Sequence, residues 1–317
     1  MTDRGLGVAS MGKASRTKVE STRREKIAAQ RAAERRAEKR RRIFLAGGSV
    51  VVVLAIVLVF VIVKLNSKAP SGPSSASNGP TGSALTAVIN QTTSVPASTL
   101  DTVGKGAFAG RIQTITGNPT PLTSGGKPEF FYAGAEYCPY CGVTRWAMVV
   151  ALSRFGTFTG LHTVHSSSTD VYPNTPSFTF YKSSYTSSYL TFTPVELQTN
   201  IPDPNNAPPY TNLQTLTSDQ QALLTKYDAS PYTTQAGAVP FLDFGNKYVM
   251  IGTPFVPQVL DGLSWSTIAT DLHNPSSAAA QAVDGTANYI TAAICKMTGN
   301  TPASACTSTV QSLESQV

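Results

Sequence analysis

Residues 43–63, IFLAGGSVVVVLAIVLVFVIV, form an apolar stretch without one charged side chain. At about 1.5 Å per residue, a helix of this length matches the roughly 30 Å hydrocarbon core of a bilayer. A cleaved secretory signal has a shorter apolar region of about 7 to 15 residues and a small-residue cleavage site, so an uncleaved anchor is favoured. The sequence therefore predicts one transmembrane helix at 43–63, and this helix divides the rest of the chain.

The charges on either side of this stretch predict its orientation. Residues 1–42 carry 14 Lys and Arg against 5 Asp and Glu, a net of +9, whereas the whole chain has +7, so the remainder sums to −2. The far flank offers only Lys64 and Lys68. The positive-inside rule then places the amino terminus in the cytoplasm and the rest of the chain outside. Because the basic excess is confined to the tail and no base-reading module accompanies it, we do not expect nucleic-acid binding.

The chain around the predicted span is divided into three further parts. Residues 1–42 favour a solvated cytoplasmic helix that contacts anionic lipid head groups, with a specific cytoplasmic partner as the alternative. Residues 64–83 are mostly Ser, Gly, Pro and Ala, which predicts a flexible linker because such a segment buries too little apolar surface to fold. Residues 84–317 are expected to form one extracytoplasmic domain of a single-pass cell-membrane protein.

All four cysteines, Cys138, Cys141, Cys295 and Cys306, lie in this outer domain, where disulfides persist. Three pairings are possible, and the two within-pair bridges are favoured because the segment between Cys295 and Cys306 contains Gly-Asn and a proline that can turn the chain. That second bridge is expected to be structural and to contribute about 2 to 3 kcal/mol. Zinc is the alternative, but no His stands at ligand spacing from either pair, so no metal is predicted.

The first pair stands in GAEYCPYCGVTRW, residues 134–146. The apolar run 128–135 predicts a central strand covered on both faces, and the spacing of apolar residues after the cysteines predicts a helix that begins at Pro139. Helix N-termini stabilise a thiolate and lower its pKa. Cys138 is therefore expected to be the exposed nucleophile and Cys141 the resolving thiol. An inert disulfide is the alternative, although so short a loop stabilises little.

EYCPYCGVTRW resembles the active-site motif of the thioredoxin superfamily, in particular DsbA-like and DsbG-like oxidoreductases, and its Cys-Pro-Tyr-Cys core is the same as in glutaredoxins. The resemblance implies an α/β, thioredoxin-like fold: strand, redox helix, strand, helix, a cis-proline that opens a hairpin, and a last helix. Val239-Pro240 fits the cis-proline position at the start of 238–253, which implies that Val239 and Pro240 bind substrate. Residues 260–273 offer the last helix. The whole domain also resembles DUF929, an uncharacterised family of thioredoxin-like proteins.

The chain departs from a minimal thioredoxin in its middle. Because 97 residues separate Cys141 from Val239, we expect an insertion between the redox helix and the cis-proline hairpin. It should contain a helix at 218–229 capped by Ser218, and an aromatic hairpin at 178–192. The six aromatics of this hairpin could line a substrate groove, although packing on the sheet is favoured. Tyr137 replaces the tryptophan that often precedes the first cysteine of thioredoxin, which weakens an assignment as a general reductase.

Two polar residues near the motif, Glu136 and Arg145, have two interpretations each, and two histidines follow further on. Glu136 is expected to be an exposed loop carboxylate, with proton relay as the alternative. Arg145 is expected on the surface or in a helix pairing, with thiolate stabilisation as the alternative. His162 and His165 fall three apart in a predicted strand and would point to opposite faces, so they make a poor metal pair.

These features together predict a membrane-anchored extracytoplasmic thiol-disulfide oxidoreductase. It would act on protein thiols and disulfides through Cys138 and Cys141, need no bound cofactor, and depend on an unidentified partner that recycles the pair. The alternative is a non-catalytic binding or chaperone module of the cell envelope that keeps the fold. The direction of electron flow is not fixed by Cys-Pro-Tyr-Cys, although an oxidising compartment slightly favours oxidation.

Overall fold

The computed structural model describes residues 79–317. The predicted tail at 1–42, the predicted transmembrane helix at 43–63 and the linker up to residue 78 lie outside the described residues. Among residues 79–317, none of the helices combines the length and the apolar character that crossing a bilayer requires. The first described helix begins at Gly82, two residues before the predicted start of the outer domain.

The described part is a mixed α/β structure. Its helices are α1 (Gly82–Thr93), α2 (Ala97–Val103), α3 (Pro139–Ser153), α4 (Ser218–Tyr227), α5 (Trp265–Asp271), α6 (Ala278–Thr298) and α7 (Ser308–Leu313). Its strands are β1 (Ile112–Thr114), β2 (Thr123–Ser124), β3 (Lys127–Gly134), β4 (Gly156–Thr159), β5 (His162–His165), β6 (Pro176–Thr179), β7 (Ser184–Ser187), β8 (Thr191–Glu196), β9 (Gln198–Pro202), β10 (Tyr210–Asn212), β11 (Phe241–Phe244) and β12 (Tyr248–Ile251).

The central sheet is built around β3. Strand β11 pairs with β3 antiparallel on one side, β8 pairs with it in parallel on the other, and β12 and then β1 extend the sheet beyond β11. Alternate residues of β3 enter two separate cores: Phe130 and Tyr132 face the layer of α3 and α6, and Phe131 and Ala133 face the layer of α4. The prediction of a central strand covered on both faces is therefore confirmed.

The hairpin at 238–253 and the second cysteine pair are also confirmed. Strands β11 and β12 meet at Gly245 and Asn246, which both have positive φ and so suit a tight turn. Cys295 and Cys306 form a disulfide with their Cα atoms 5.8 Å apart. Gly299, with a φ of 66°, ends α6 between them.

The helix predicted at 260–273 forms only in part. Within 260–273 only α5 is helical, because a 3₁₀ turn ends at Leu260, Gly262 has a positive φ, and Ser264 then caps a new helix by accepting from Thr267 N–H. The longer α6 follows and packs against α3. A Cβ atom added at Gly285 of α6 would lie 2.7 Å from the Lys105 carbonyl oxygen. Glycine at this position therefore allows the backbone at Lys105 to approach α6 closely.

The prediction of an aromatic hairpin at 178–192 is wrong. Strand β6 pairs with β5, β7 pairs with β4, and β8 pairs in parallel with β3, so the three segments have three different partners. Five of the six aromatic residues pack as favoured: Phe178, Phe180 and Phe192 are buried in the main core and Tyr185 and Tyr189 lie against it. Helix α4 forms as predicted, but its cap is Thr217, in a capping box with Gln220.

Candidate functional site

Cys138 and Cys141 lie where β3 leads into α3. Cys138 is the N-cap residue of α3, Pro139 is at the first helical position, and the Cys141 backbone N–H donates to Cys138 Sγ over 3.2 Å. An N-cap side chain that accepts from the third helical residue normally carries oxygen, and here sulfur occupies that position. Both thiols are free. The predicted strand-to-helix junction is confirmed.

The two sulfurs are less accessible than predicted. Cys138 is 4% exposed and Cys141 is fully buried, so the expectation of an exposed nucleophile is wrong. The cover is aromatic: the ring of Tyr137 stacks on Tyr210 of β10 with centroids 4.2 Å apart, and Tyr140 meets the ring of Tyr172 edge-on. Tyr172 and Tyr210 both belong to the segment between α3 and β11. Local sequence patterns do not predict where this segment lies relative to the cysteines.

The two thiols differ in acidity. Burial by itself would raise the pKa of Cys138, but hydrogen bonds from the Cys141 thiol and backbone N–H, together with the positive charge of Arg145, outweigh it, and the pKa is lowered. Burial raises the pKa of Cys141 well above its usual value, and the neighbouring Cys138 raises it further. The geometry thus favours one thiolate at Cys138 and one protonated thiol at Cys141.

Val239 is brought directly to the sulfurs. The Val239-Pro240 peptide bond is cis, and Cys138 Sγ lies 3.7 Å from the Val239 carbonyl oxygen, to which it donates when the thiol is protonated. The Pro240 carbonyl instead accepts from Gly252 N–H within the β11–β12 hairpin. Of the two residues expected to bind substrate, Val239 therefore presents its backbone to Cys138, and Pro240 fixes the start of β11.

Arg145 lies behind the cysteines and not on the surface, so the favoured interpretation of this residue is wrong. It is fully buried and forms a two-pronged ion pair with Glu196 of β8, with Nε 2.8 Å from Oε1 and Nη2 2.6 Å from Oε2. Its Nη2 also donates to the Ala135 carbonyl over 2.6 Å, in the turn that leads to Cys138. The pair joins α3 to β8 of the sheet.

Sequence reasoning missed Glu196, although one signal was present. Arg145 stands among residues that bury the helix on all sides, such as Val143 and Trp146, and a buried guanidinium requires an acceptor. The partner comes 51 positions later, on a strand whose register opposite Gly134 is set by the parallel pairing of β3 and β8. A pattern in one stretch of sequence cannot supply that register.

Comparison with known families decides the membership of the chain. Residues 113–296, more than half of the chain, match the family described as "Domain of unknown function (DUF929)". The chain belongs to the DUF929 family. No curated protein and no solved structure matches it.

One carboxyl group and one hydroxyl group of the DUF929 region, those of Glu136 and Tyr132, are buried near the cysteines. Glu136 is buried and not exposed as expected, because the insertion covers it. Its Oε1 accepts from Thr179 Oγ over 2.7 Å, and burial raises its pKa although that hydrogen bond opposes the shift. The Tyr132 hydroxyl is buried without a hydrogen-bond partner among the described residues, and burial raises its pKa well above the usual value.

The histidines of the DUF929 region stand apart from the site. His162 and His165 occupy the two ends of β5; His162 is exposed and the ring of His165 packs on Trp265 with centroids 4.6 Å apart. Within residues 79–317 no three His, Cys, Asp or Glu side chains come together as metal ligands. The sulfurs of Cys295 and Cys306 are bonded to each other and so do not serve as zinc ligands.

Proposed function

We propose that this DUF929 protein is an extracytoplasmic thiol-disulfide oxidoreductase that acts on protein substrates through Cys138 and Cys141. The observation that carries the proposal is the placement of the two sulfurs: Cys138 Sγ caps α3 and accepts from the Cys141 backbone N–H over 3.2 Å, and Cys141 is fully buried one turn into the helix. This placement makes the thiols unequal, with the pKa of Cys138 lowered and that of Cys141 raised. A structural pair gains nothing from this asymmetry, whereas thiol-disulfide exchange needs one thiolate to attack and one thiol held in reserve.

The order of elements around the pair supports a thioredoxin-like fold for the domain. Strand β3, helix α3, the parallel strand β8, helix α4 on the opposite face and the hairpin β11–β12 follow one another in the order that such a fold requires. Helix α6 then packs on the same face as α3. In this interpretation β4–β7, β9 and β10 are additions: β10 brings Tyr210 onto Tyr137 beside the cysteines, and β7 bonds to the other end of α3.

The exchange reaction follows from the site. The Cys138 thiolate attacks one sulfur of a substrate disulfide, the S–S bond breaks, and the other substrate sulfur leaves as a thiolate that takes up a proton. Cys141 then loses its proton and attacks Cys138 Sγ, which releases the second substrate thiol. The substrate gains two electrons and the protein pair becomes a disulfide; oxidation of a substrate dithiol is the same path reversed.

The surrounding residues have distinct parts in this reaction. The Arg145 charge lowers the pKa of both cysteines, which favours thiolate at Cys138 and eases proton loss from Cys141 in the second step. Its bond to the Ala135 carbonyl fixes the turn that carries Cys138. The backbone at Val239 would hold an extended substrate segment beside the sulfur. The sulfurs carry the electrons, so no cofactor is required.

The proposed setting follows from the charge and hydropathy of the first 83 residues. A helix at 43–63 would anchor the protein in the cell membrane with the amino terminus in the cytoplasm. The linker would let the domain reach cysteine-bearing proteins near the outer face. A separate redox partner would return the pair to its working state after each turnover.

One observation favours the second candidate, a binding or chaperone module of the cell envelope. Cys138 is only 4% exposed and has aromatic residues around it, so a large substrate needs the Tyr137 and Tyr140 side chains to move before a sulfur is reached. A module that only binds partners would tolerate this cover. The two candidates differ in whether the pair exchanges electrons.

The test is the reduction potential of the Cys138–Cys141 pair in the full-length protein in detergent micelles, by equilibration in glutathione buffers and thiol trapping. A potential of about −120 to −180 mV supports an oxidant or isomerase, and one near about −270 mV supports a reductant. In the Cys138→Ser variant only the Cys295–Cys306 disulfide remains, so this variant shows which part of the thiol-trapping signal belongs to that bond. A first pair that resists reduction below about −300 mV would overturn the proposal and leave the binding module.

A further inference from the structure

A cavity of about 240 Å³ lies at the carboxy-terminal end of α3, away from the cysteines at the other end of that helix. Its walls come from α1, α2, α3 and the loop closed by the Cys295–Cys306 disulfide. Val95, Leu100 and Val150 give it an apolar side, and Thr93, Ser153 and Ser304 give it a polar side. Arg154, the C-cap residue of α3, contributes the charge.

The guanidinium of Arg154 is only partly satisfied. Its Nη1 donates to Asn288 Oδ1 over 3.3 Å and to Thr291 Oγ over 3.5 Å, and both of these acceptors are uncharged. Its Nη2 is buried and has no hydrogen-bond partner among the described residues. Within residues 79–317 no carboxylate forms an ion pair with it. Asp101 is the acidic group whose charge acts on it, and Asp101 Oδ1 accepts from Thr307.

This arrangement is costly unless something balances it. Burial lowers the pKa of Arg154 to about 10, which still leaves the group cationic at neutral pH. Arg154 is only partly exposed, so its guanidinium loses hydration that the two neutral acceptors replace only in part. Arg145 on the same helix has a carboxylate for this purpose, whereas Arg154 has an open cavity.

We propose that this cavity is a binding site for a small organic carboxylate with a short aliphatic body. A carboxylate matches the fork of a guanidinium and would pair with the side of Arg154 that lines the cavity. The hydroxyls of Thr93, Ser153 and Ser304 surround the polar end, and Val95, Leu100 and Val150 receive the aliphatic end. The volume is below the roughly 300 to 1,000 Å³ of pockets for drug-sized ligands, so the occupant has only a few carbon atoms.

The test uses butyrate as the probe and the full-length protein in detergent micelles, by ligand-observed NMR with empty micelles subtracted. Butyrate should bind saturably, and butyramide, which has the same shape without the charge, should bind at least about tenfold more weakly. Arg154→Gln should weaken butyrate binding by at least about tenfold. Arg111→Gln is the matched control, because Arg111 is exposed and does not line the cavity; it should leave binding unchanged.

A second variant separates loss of the site from loss of the fold. Ala97 lines the cavity, and Ala97→Leu would fill it while leaving Arg154 in place, so butyrate binding should fall although thermal unfolding is retained. Equal binding of butyrate and butyramide, full binding by Arg154→Gln or Ala97→Leu, or no binding of butyrate to the wild type would each overturn the proposal. Displacement of butyrate by equimolar inorganic phosphate would overturn the assignment to carboxylates.

Discussion

Arg145 within α3 and Arg154 at its C-cap show two different ways of placing the same side chain against the protein interior. Arg145 has its charge matched by Glu196, in a fully buried pair that ties α3 to β8. Arg154 caps the far end of the helix, faces a cavity and has only neutral acceptors. The comparison shows that a charge paired with a carboxylate holds two elements together, whereas a charge with only neutral acceptors remains able to bind an anion.

The largest expected effect concerns the reactive end of the helix. Cys138→Ser should abolish thiol-disulfide turnover, and Cys141→Ser should accumulate the mixed disulfide with substrate, because only Cys141 can release it. Turnover would be followed with a self-quenched fluorescent peptide dimer joined by a disulfide. The double variant Cys295→Ala/Cys306→Ala is the control, since it should retain turnover. Turnover in Cys138→Ser would contradict the proposed role.

The second expected effect concerns the matched charge. Glu196→Gln should lower the free energy of unfolding by about 3 to 5 kcal/mol, because it strands the Arg145 charge in the interior. The measurement is denaturant unfolding of the full-length protein in micelles. Glu129→Gln, on β3 but half-buried and without an ion pair among the described residues, should change stability by less than about 1 kcal/mol.

A double variant sharpens this result. Arg145→Met combined with Glu196→Leu removes both charges, so it should cost less than Glu196→Gln alone if the stranded charge is what destabilises. A double variant that is less stable than Glu196→Gln would show that the pair stabilises by its own contacts. The Arg145–Glu196 pair would then differ from Arg154 in its stabilising contacts as well as in its charge compensation.

A third effect concerns a buried charge that can neutralise itself. Asp284 of α6 is fully buried, neither of its carboxyl oxygens has a hydrogen-bond partner among the described residues, and burial raises its pKa to about 8. Between about pH 4 and pH 8 the folded state keeps a proton that the unfolded state releases, so stability falls as the pH rises through this window. Asp284→Asn does not titrate, and its stability relative to wild type should increase by about 2 to 4 kcal/mol from pH 5 to pH 8.

Unfolding at both pH values measures this difference. Asp219→Asn, an exposed residue of α4, is the matched control and should follow the wild-type pH dependence. Parallel curves for wild type and Asp284→Asn would refute the effect. The contrast with Arg154 is that a carboxyl can give up its charge when buried, whereas a guanidinium remains charged over the same pH range.

The smallest expected effect concerns the unmatched charge. Arg154→Met should change the free energy of unfolding by no more than about 1 kcal/mol in either direction, because no opposite charge is stranded and the methionine can line the apolar side of the cavity. The same unfolding experiment, in a buffer free of organic anions, measures it. A loss as large as that of Glu196→Gln would remove the distinction between the two arginines.

Local patterns in the sequence predicted the elements of the site, and long-range pairing decided how they meet. The apolar run of β3, the proline at the start of α3, the Gly-Asn turn at 245–246 and the 295–306 bridge were all predictable because each depends on neighbours in sequence. The parallel register of β8 on β3 was not predictable from neighbours in sequence, and therefore Glu196 was not predictable as the partner of Arg145.

The insertion shows the same limit for strands and for exposure. Propensity identified β-forming residues at 178–192 but not that β6, β7 and β8 each pair elsewhere. Cys138 was expected to be exposed because it lies at the start of a helix. That position does not predict that Tyr210 of β10 stacks on the neighbouring Tyr137. Burial of a site depends on segments far away in sequence.

Strand β6 gives the protein an optical property. The chain has two tryptophans, and each donates its indole N–H to a carbonyl of this strand: Trp146 to Pro176 and Trp265 to Ser177, both over 2.8 Å. The Ser177 hydroxyl also donates to the Gly142 carbonyl, in the first turn of α3. The tryptophan fluorescence therefore comes from two indoles anchored on one strand beside the cysteines, which makes it a built-in spectroscopic probe of β6.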